Sequence, residues 1–485
     1  MKKRIWSKAV SIFTAILLVV GIVPNTTITA LAAVGAPSQL YVGNKQVISG
    51  SDNATYWTTD TDGNLTQSAA DQSWNVKYDP ATVTLTLRGA TIQGGTNTGP
   101  APFGSGIYAQ CSIGQSVTLT IKLIGENTIT GYYGIYVNAE ISADSNGTDA
   151  SLTITGENNG SLEVSGSNHG IFVKSGTGNA SVTIENASVD AKTTQTNSGY
   201  AGVYVHSSAI ATNSPQLSLA VNGGSLTTSA SEGNDGIQFY VGAYEATSAT
   251  TSLTVNDNAI VDARTGGISA SGVSVNPNVD IGSTDSTSGI VFDGTEGTVY
   301  GDVTLDESLT INQGETLTIP EGSTLNSNGN LTNNGTILAS GGTLEGTLSN
   351  GTRPTTPNIT EQPYDDTVTE GEDATFTVEA SAGSETLTYQ WQQSTDNGSS
   401  WTNIESGTSA SYTINSTNTS MNGYQYRCVV TGSGGVSVIS QTATLTVQAK
   451  PASVPVTGVK LNKDSLTLQE RGSDTLMLNA KLNDK

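Results

Sequence analysis

Apolar and polar residues alternate in short runs along most of this chain, and the runs recur at similar intervals. The clearest motif is a glycine followed by a branched residue, a variable residue and an apolar residue. It begins at Gly106, Gly134, Gly170, Gly202, Gly236, Gly267 and Gly289. Successive glycines are 28, 36, 32, 34, 31 and 22 residues apart. A repeat of this length indicates that one small supersecondary unit is stacked on the next.

Two more strand motifs lie between these glycines. One occupies 117–121, 152–154, 182–184, 217–219 and 253–255, and the other occupies 161–164, 188–191, 225–227 and 259–261. Three period-two strands per repeat, joined by Gly, Asn and Ser turns and without helical periodicity, predict a parallel β-helix with three sheets. The alternative is a series of β-sandwiches, but the strand order repeats over too few residues for a whole sandwich.

The predicted β-helix (solenoid) covers residues 34–350. Residues 75–92, with Val83, Leu85 and Leu87 alternating against threonines, predict a first coil or cap. Residues 300–346 repeat shorter units, and 326–335 predict tight final coils, which would also hide the edges of the sheets.

On these motifs, residues 35–350 resemble the β-helix repeat regions of exported clostridial-type surface proteins. Some of those proteins are described as carbohydrate-binding, so the resemblance implies that this chain binds glycans. The same fold also carries pectate lyases. A polysaccharide lyase or glycoside hydrolase is therefore the first alternative function.

The composition changes at Pro354 and Pro357, and residues 351–357 are expected to form a linker. Residues 358–448 contain Trp391, Tyr426 and Cys428 in a pattern that resembles an immunoglobulin-like domain of bacterial surface proteins. The resemblance implies a β-sandwich in which Trp391 packs in the core and Tyr426 forms the tyrosine corner. The first cysteine of such a domain is missing, and an apolar residue, near Val378, stands in its expected place. Cys428 is therefore expected to be a buried free thiol.

A second linker is predicted at 449–454. Residues 455–485 resemble the opening strands of a group 2 bacterial immunoglobulin-like domain. Only the start of such a domain is present, so the sequence is expected to be a fragment whose remaining part lies beyond Lys485. Taken together, the predicted fold class is all-β, a β-helix followed by immunoglobulin-like modules.

The chain begins with Lys2, Lys3 and Arg4, continues with the apolar run 12–23 and reaches small residues up to Ala33. This layout predicts a secretory signal peptide at 1–33. The apolar run is shorter than the roughly 20 residues of a membrane span, which favours cleavage over an uncleaved anchor. The chain is therefore expected to be secreted, or associated with the cell wall, without a membrane span after cleavage.

The net charge is −23, which disfavours nucleic acid and anionic lipid as partners. Cys111 and Cys428 lie in different predicted domains, so no disulfide framework or zinc site is expected. Glycans or a host or cell-wall surface remain as partners, and the protein is expected to be a monomer.

An aromatic residue occupies the second position after the glycine in four successive repeats, as Tyr108, Tyr136, Phe172 and Tyr204. Strand alternation sends these rings away from the core, where stacked repeats would place them about 4.8 Å apart. Such a ladder predicts a carbohydrate-binding surface. Two alternatives are that the rings only stabilise one another and that long turns cover them.

Sites for metal or catalysis are sparse. Asp60, Asp62 and Asn64 have the spacing that opens a calcium loop, but the later Glu of such a loop is missing, which favours an ordinary Asp-Gly turn. His169 and His206 stand alone, without a nucleophile nearby, and no cluster of acids marks a lyase site. No cofactor is therefore expected apart from calcium at this loop, and the chain is expected not to be an enzyme.

These observations predict a non-catalytic adhesin or carbohydrate-binding protein that presents a rigid β-helix face on immunoglobulin-like spacers. The lyase or hydrolase is the first alternative. A structural stalk for a domain beyond residue 485 is the second.

Overall fold

A computed structural model describes residues 35–48, 53–68, 73–95, 104–139, 148–208, 214–242, 248–272, 275–282, 287–351, 353–383 and 385–451. The predicted signal peptide and the predicted second immunoglobulin-like segment lie outside the described residues. The described chain forms two compact units. The first holds the residues up to Asn358 with 381–388 and 431–438, and the second holds 359–380, 389–430 and the residues from Ile439 onward.

The first part of the chain consists of short and medium strands. They are β1 (Gln39–Val42), β2 (Lys45–Gln46), β3 (Thr55–Thr59), β4 (Leu65–Ser68), β5 (Val76–Asp79), β6 (Thr84–Arg88), β7 (Thr91–Gln93), β8 (Ser105–Gln110), β9 (Val117–Gly131), β10 (Tyr133–Asn138), β11 (Ala150–Gly166), β12 (Ile171–Ser175), β13 (Ala180–Thr193), β14 (Ala201–Ser207), β15 (Gln216–Ser229), β16 (Asp235–Val241), β17 (Thr250–Asn256), β18 (Ala259–Ala263), β19 (Ile268–Gly272), β20 (Asp280–Ile281), β21 (Gly289–Asp293), β22 (Glu296–Tyr300), β23 (Asp302–Thr304), β24 (Leu309–Ile311), β25 (Thr316–Thr318), β26 (Thr324–Asn326), β27 (Leu331–Asn333), β28 (Thr336–Leu338), β29 (Thr343–Glu345) and β30 (Leu348–Gly351).

The later strands are β31 (Asn358–Glu361), β32 (Asp366–Thr369), β33 (Ala374–Thr377), β34 (Glu379–Ser381), β35 (Leu387–Ser394), β36 (Thr402–Asn403), β37 (Ser411–Ile414), β38 (Gln425–Gly432), β39 (Ser437–Ile439) and β40 (Ala443–Gln448). Within the described ranges the one helical element is the 3-10 turn Thr419–Met421. The prediction of an all-β chain is confirmed.

Six of the seven glycine motifs lie side by side in one sheet. Strands β8, β10, β12, β14, β16 and β19 pair in parallel, so that Ile107, Ile135, Ile171, Val203, Ile237 and Ile268 occupy equivalent positions. The first five of these side chains belong to one continuous apolar core. Successive repeats therefore bury the same position against the same neighbours.

The three-sheet prediction requires that the second and third strand motifs form separate strands, and in the repeats of β11, β13 and β15 they do not. Each pair lies in one long strand of a second, larger sheet. The backbone turns between the two motifs at residues with positive φ, such as Asn158 at 54°, Asn159 at 60° and Asn186 at 50°. Asparagine tolerates this left-handed conformation, so the chain can bend without ending its ladder.

The motif at Gly289 departs from the other six. Strand β21 pairs in parallel with β18 in the larger sheet, and it turns back antiparallel onto β22. Its spacing of 22 residues is too short to repeat the path of the longer units. Beyond it, β23, β26 and β29 form one parallel ladder, β24, β27 and β30 form another, and β22, β25 and β28 extend the larger sheet.

Arg264 links the long repeats to the short ones. Its guanidinium group lies 2.6 Å from the Asp262 carboxylate and 3.1 Å from the Glu315 carboxylate, and it donates a 2.9 Å hydrogen bond to the Thr310 carbonyl. Its central carbon lies 3.8 Å from the centroid of the Phe292 ring. One cation therefore stabilises residues from both kinds of repeat.

In the second unit, β32, β40, β38, β35 and β36 form one sheet, while β33 pairs with β37. Trp391 and Cys428 are fully buried, and the Phe376 ring stacks on Tyr426 with 4.7 Å between centroids. The indole N–H of Trp391 donates to the Ser409 carbonyl at 2.9 Å. Cys428 is a buried free thiol, as predicted.

We expect Arg264→Ala to lower the free energy of unfolding by about 2–4 kcal/mol, because the partly buried carboxyl groups of Asp262 and Glu315 would lose the cation that they share. The matched control is Lys122→Ala, which removes a 2.5 Å ion pair with the well-exposed Glu157 and should lower it by less than about 1 kcal/mol. Urea denaturation of both variants measures the difference. Equal losses would contradict this role of Arg264.

Burial raises the pKa of the Cys428 thiol to about 11. Because the thiolate is the reactive species, we expect Cys428 to be nearly inert to a disulfide reagent at pH 8 in the folded protein. A Cys111→Ser variant isolates the signal of Cys428. Reaction should begin only when denaturant unfolds the second unit, and prompt labelling of the native variant would refute the prediction.

Candidate functional site: the aromatic face

The outer side of the sheet that carries the glycine motifs is an aromatic face. Tyr108, Tyr136, Phe172 and Tyr204 occupy equivalent positions in neighbouring strands, on the side opposite the apolar core. The rings of Tyr136 and Phe172 are stacked with 4.6 Å between centroids and 2° between planes. The other two neighbouring pairs are 5.4 and 5.1 Å apart. The four rings form a ladder.

Most of this ladder is buried. Tyr108, Tyr136 and Phe172 are 2%, 8% and 7% exposed, and a second row of rings packs against Tyr136 and Phe172. Tyr133 lies 4.8 Å from Tyr136, and His169 lies 5.0 Å from Phe172. A sugar can stack only on an exposed ring face, so the open stripe that outward alternation predicts is absent at these three positions. The mutual stabilisation considered as an alternative describes them better.

His169 is part of the second row and is 5% exposed. Its ring stacks on Tyr204 with 4.4 Å between centroids, and its Nδ1 accepts a 3.0 Å hydrogen bond from the Ala201 backbone N–H. An accepting Nδ1 requires that the neutral ring carries its proton on Nε2. Burial lowers the pKa of His169 to about 3. The histidine therefore acts as a neutral aromatic ring at physiological pH.

His206 follows Tyr204 by two residues in β14, on the same side of the sheet, and its neighbour in the next strand is Tyr240. Burial, and to a smaller extent the positive charge of Lys174, lower the pKa of His206 to about 4. Its Nδ1 is buried and has no hydrogen-bond partner within the described part of the chain. The sequence shows both histidines as isolated residues, and no periodicity in it indicates their place in the aromatic packing.

The face opens towards one end. Tyr200, Tyr204, His206 and Tyr240 are each half-buried, in contrast to the buried Tyr108, Tyr136 and Phe172. The rings of Tyr204 and Tyr240 are stacked 6.2 Å apart, and His206 meets Tyr240 edge-on at 5.2 Å. Of the four predicted binding residues, only Tyr204 belongs to this open group. Tyr200 and Tyr240 lie outside the motif position from which the ladder was predicted.

A polar cleft of about 290 Å³ crosses the larger sheet where its long strands bend. Glu126, Glu163 and Asp190 line it, and the Lys192 ammonium lies 2.9 Å from Glu163 and 2.8 Å from Asp190. These carboxylates raise the pKa of Lys192, so the lysine stays a cation and cannot serve as a proton acceptor. Glu163 and Asp190 occupy the same position in successive strand motifs, so the sequence pattern indicates that the two acids are neighbours in the sheet.

The predicted calcium residues form the turn between β3 and β4. The Asp60 carboxylate accepts hydrogen bonds from the backbone N–H groups of Asp62 and Asn64, both at 2.9 Å, and these bonds lower the pKa of Asp60. The same carboxylate accepts from the Asn64 amide. These contacts account for a tight turn without an ion, and calcium at this loop stays a prediction.

Across the described ranges, no group of three or more His, Cys, Asp or Glu side chains is arranged to hold a metal ion. Within the same ranges, no helix has the length and apolar character needed to cross a membrane.

Comparison with known proteins reaches only part of the chain. Residues 360–449 match the model of a family described as "Domain of unknown function (DUF8696)". Endoglucanase C of Cellulomonas fimi is 41% identical over 95 residues, which are 20% of this chain and 8% of that enzyme. The match thus spans only a small part of the relative's length.

The similar solved structures contain immunoglobulin domains. "Sidekick-1 immunoglobulin domains 1-5" is 23% identical, with a TM-score of 0.16, and covers 21% of each chain. "Atomic resolution structure of titin domain M7" is 27% identical, with a TM-score of 0.16, and covers 20% of this chain and all of that one. At these TM-scores the likeness carries no argument about this chain.

The buried histidines predict a pH dependence. Their folded pKa values, about 3 and 4, lie below the unfolded value near 6.5, so the unfolded state binds more protons between these limits. The stability they contribute is complete above pH 6.5 and is lost as the pH falls. As the pH falls from 7 to 5, each histidine becomes protonated in the unfolded state but not in the folded state. We expect this difference to lower the free energy of unfolding by about 2 kcal/mol per histidine.

Urea denaturation at pH 7, 6 and 5 measures this loss in the native protein, in His169→Gln and in His206→Gln. The protein has only these two histidines, so the double variant is a matched control. Each single variant should show a shallower decline, and the double variant should be nearly flat in this range. If the stability of the native protein depends on pH as weakly as that of the double variant, the two histidines have ordinary pKa values in the folded state, and the prediction is wrong.

Proposed function

We propose that this chain is an exported, non-catalytic glycan-binding protein, whose first unit winds as a parallel β-helix and whose second unit is an immunoglobulin-like module. The parallel ladders support the winding, since equivalent residues of repeats about 30 residues apart lie side by side in both sheets. The charged N-terminal segment and its apolar run support export.

One observation carries the binding function, namely the open end of the aromatic face. Tyr200, Tyr204 and Tyr240 are half-buried, and the polar residues Lys174 and Asp235 lie in β12 and β16 of the same sheet. Apolar ring faces beside a few polar groups suit the two sides of a sugar, which has a C–H face and a hydroxyl rim. The binding surface is thus displaced from the predicted ladder to its solvent-exposed end.

The partial relative adds support of a coarser kind. An endoglucanase acts on a glucan, and a segment shared with such an enzyme fits a protein that works on or near polysaccharides. The shared segment is too small a part of that enzyme to imply its activity here.

A non-catalytic role fits the polar cleft of the first unit, which Glu126, Glu163 and Asp190 line. The carboxylates of Glu163 and Asp190 both pair with the Lys192 ammonium, at 2.9 and 2.8 Å. A glycosidase needs one carboxylic acid that protonates the leaving group, whereas both of these carboxyl groups are engaged with a cation. Incubation with pectin, mucin and xylan, with and without calcium, should release no new reducing ends or unsaturated products, and turnover would favour the lyase or hydrolase alternative.

Tyr200→Ala combined with Tyr240→Ala should weaken retention on insoluble glycans by about tenfold or more, because aromatic anchors dominate binding surfaces of this kind. Pull-down on cell-wall glycan, mucin and cellulose measures the retained fraction. Both rings are half-buried at the open end, so circular dichroism and thermal unfolding verify that the fold persists.

The matched control is Tyr364→Ala, which removes a tyrosine that is 71% exposed in the second unit. It should leave retention unchanged. If the double variant binds every glycan as well as the native chain, the aromatic face is not the binding surface.

A further inference from the structure

A half-buried tryptophan, Trp401, lies beside Arg427 in the second unit, on the side of the sheet that faces away from the core. Strand alternation buries Trp391 and Tyr426 in the core, so Gln392 and Arg427 point to the opposite side of the sheet. Trp401 directly precedes β36, and the central carbon of the Arg427 guanidinium lies 4.2 Å from the centroid of its ring. None of these contacts contributes to the buried core.

Planar polar side chains flank the tryptophan and the arginine. Arg427 Nε donates a 2.7 Å hydrogen bond to Gln392 Oε1, and Gln392 Nε2 donates a 2.9 Å hydrogen bond to Asn403 Oδ1. Gln425 Nε2 donates to Asn397 Oδ1 at 3.3 Å. Each amide and the guanidinium group have further donors or acceptors beyond these bonds. We call these six residues, Asn397, Trp401 and Asn403 with Gln392, Gln425 and Arg427, the Trp401 patch.

The loop that presents Trp401 is fixed by its own hydrogen bonds. The Asp396 carboxylate accepts a 2.8 Å bond from the Ser400 backbone N–H and a 2.6 Å bond from its hydroxyl, and these bonds lower the pKa of Asp396 to about 2. The Ser394 hydroxyl oxygen accepts a 2.8 Å bond from the Gly398 N–H. A loop that is ordered before a ligand arrives loses little conformational entropy on binding.

An indole ring next to planar amides is suited to a saccharide. The C–H face of a pyranose packs on an aromatic ring, while amide and guanidinium groups hydrogen-bond to its hydroxyls. The second unit contains nine acidic and two basic residues within its described ranges, and this balance disfavours an anionic ligand.

We propose that the Trp401 patch binds a neutral polysaccharide chain. The immunoglobulin-like unit is then a second binding module rather than only a spacer. The patch and the aromatic face lie in different units, so either one can fail without the other.

Affinity electrophoresis of the full chain in gels containing soluble mixed-linkage β-glucan tests the proposal. Trp401→Ala should weaken binding by about tenfold, since tryptophan and arginine dominate such surfaces, and Asn403→Ala should weaken it by about threefold. Asn403 is exposed, so its substitution leaves the core intact if Trp401→Ala disturbs the fold. Tyr364→Ala is the matched control in the same unit and should bind like the native chain.

The same measurement in a chain with Tyr200→Ala and Tyr240→Ala separates the two surfaces. Binding that persists in this chain and disappears when Trp401→Ala is added assigns the β-glucan to the patch. The proposal is overturned if Trp401→Ala and Asn403→Ala bind like the native chain, or if no form of the chain binds β-glucan. Loss in the tyrosine variant alone overturns the patch and leaves the aromatic face as the binding surface.

Discussion

The first unit depends on parallel strand pairing that keeps equivalent residues of successive repeats side by side. Neighbouring strands lie about 4.8 Å apart, so each side chain touches its own counterpart from the next repeat. Inward positions must then remain apolar along the whole column, as they do from Ile107 to Ile237. Outward positions obey the same rule, and any residue type that recurs in the repeat becomes a continuous column on the surface.

The outward columns explain both the aromatic face and the polar cleft. Rings at one motif position stack into a ladder. Acids at another position, Glu163 and Asp190, lie side by side in neighbouring strands, and the Lys192 ammonium offsets the repulsion between their carboxylates. A column of rings also attracts further rings, such as Tyr133 and His169, which stabilise the ladder and remove it from solvent. Ring packing therefore buries most of this column, and the half-buried rings at its Tyr240 end are the ones on which the proposed glycan binding depends.

Patterns within one repeat were predictable, whereas contacts between distant segments were not. The six shared glycine motifs follow from local alternation and spacing, whereas the burial of Trp391 and Cys428 was expected from the resemblance to an immunoglobulin-like domain. The bend at Asn186 was not predicted, because asparagine occurs equally in turns that end a strand. Burial of Tyr136 depends on Tyr133, whose ring direction no periodicity specifies. Trp401 and Arg427 meet across 26 residues of sequence, and neither belongs to a repeated motif.

The unequal distances between the glycine motifs have an evolutionary consequence. The repeats differ by several residues in length, yet their strands keep the same register, so insertions and deletions fall in the turns. A change of one residue inside a strand would instead exchange the inward and outward faces of that whole strand. Such a lineage can lengthen, shorten and diversify its turns freely while its strands accept only substitutions, and new recognition surfaces would arise most readily along the turn-bearing edges.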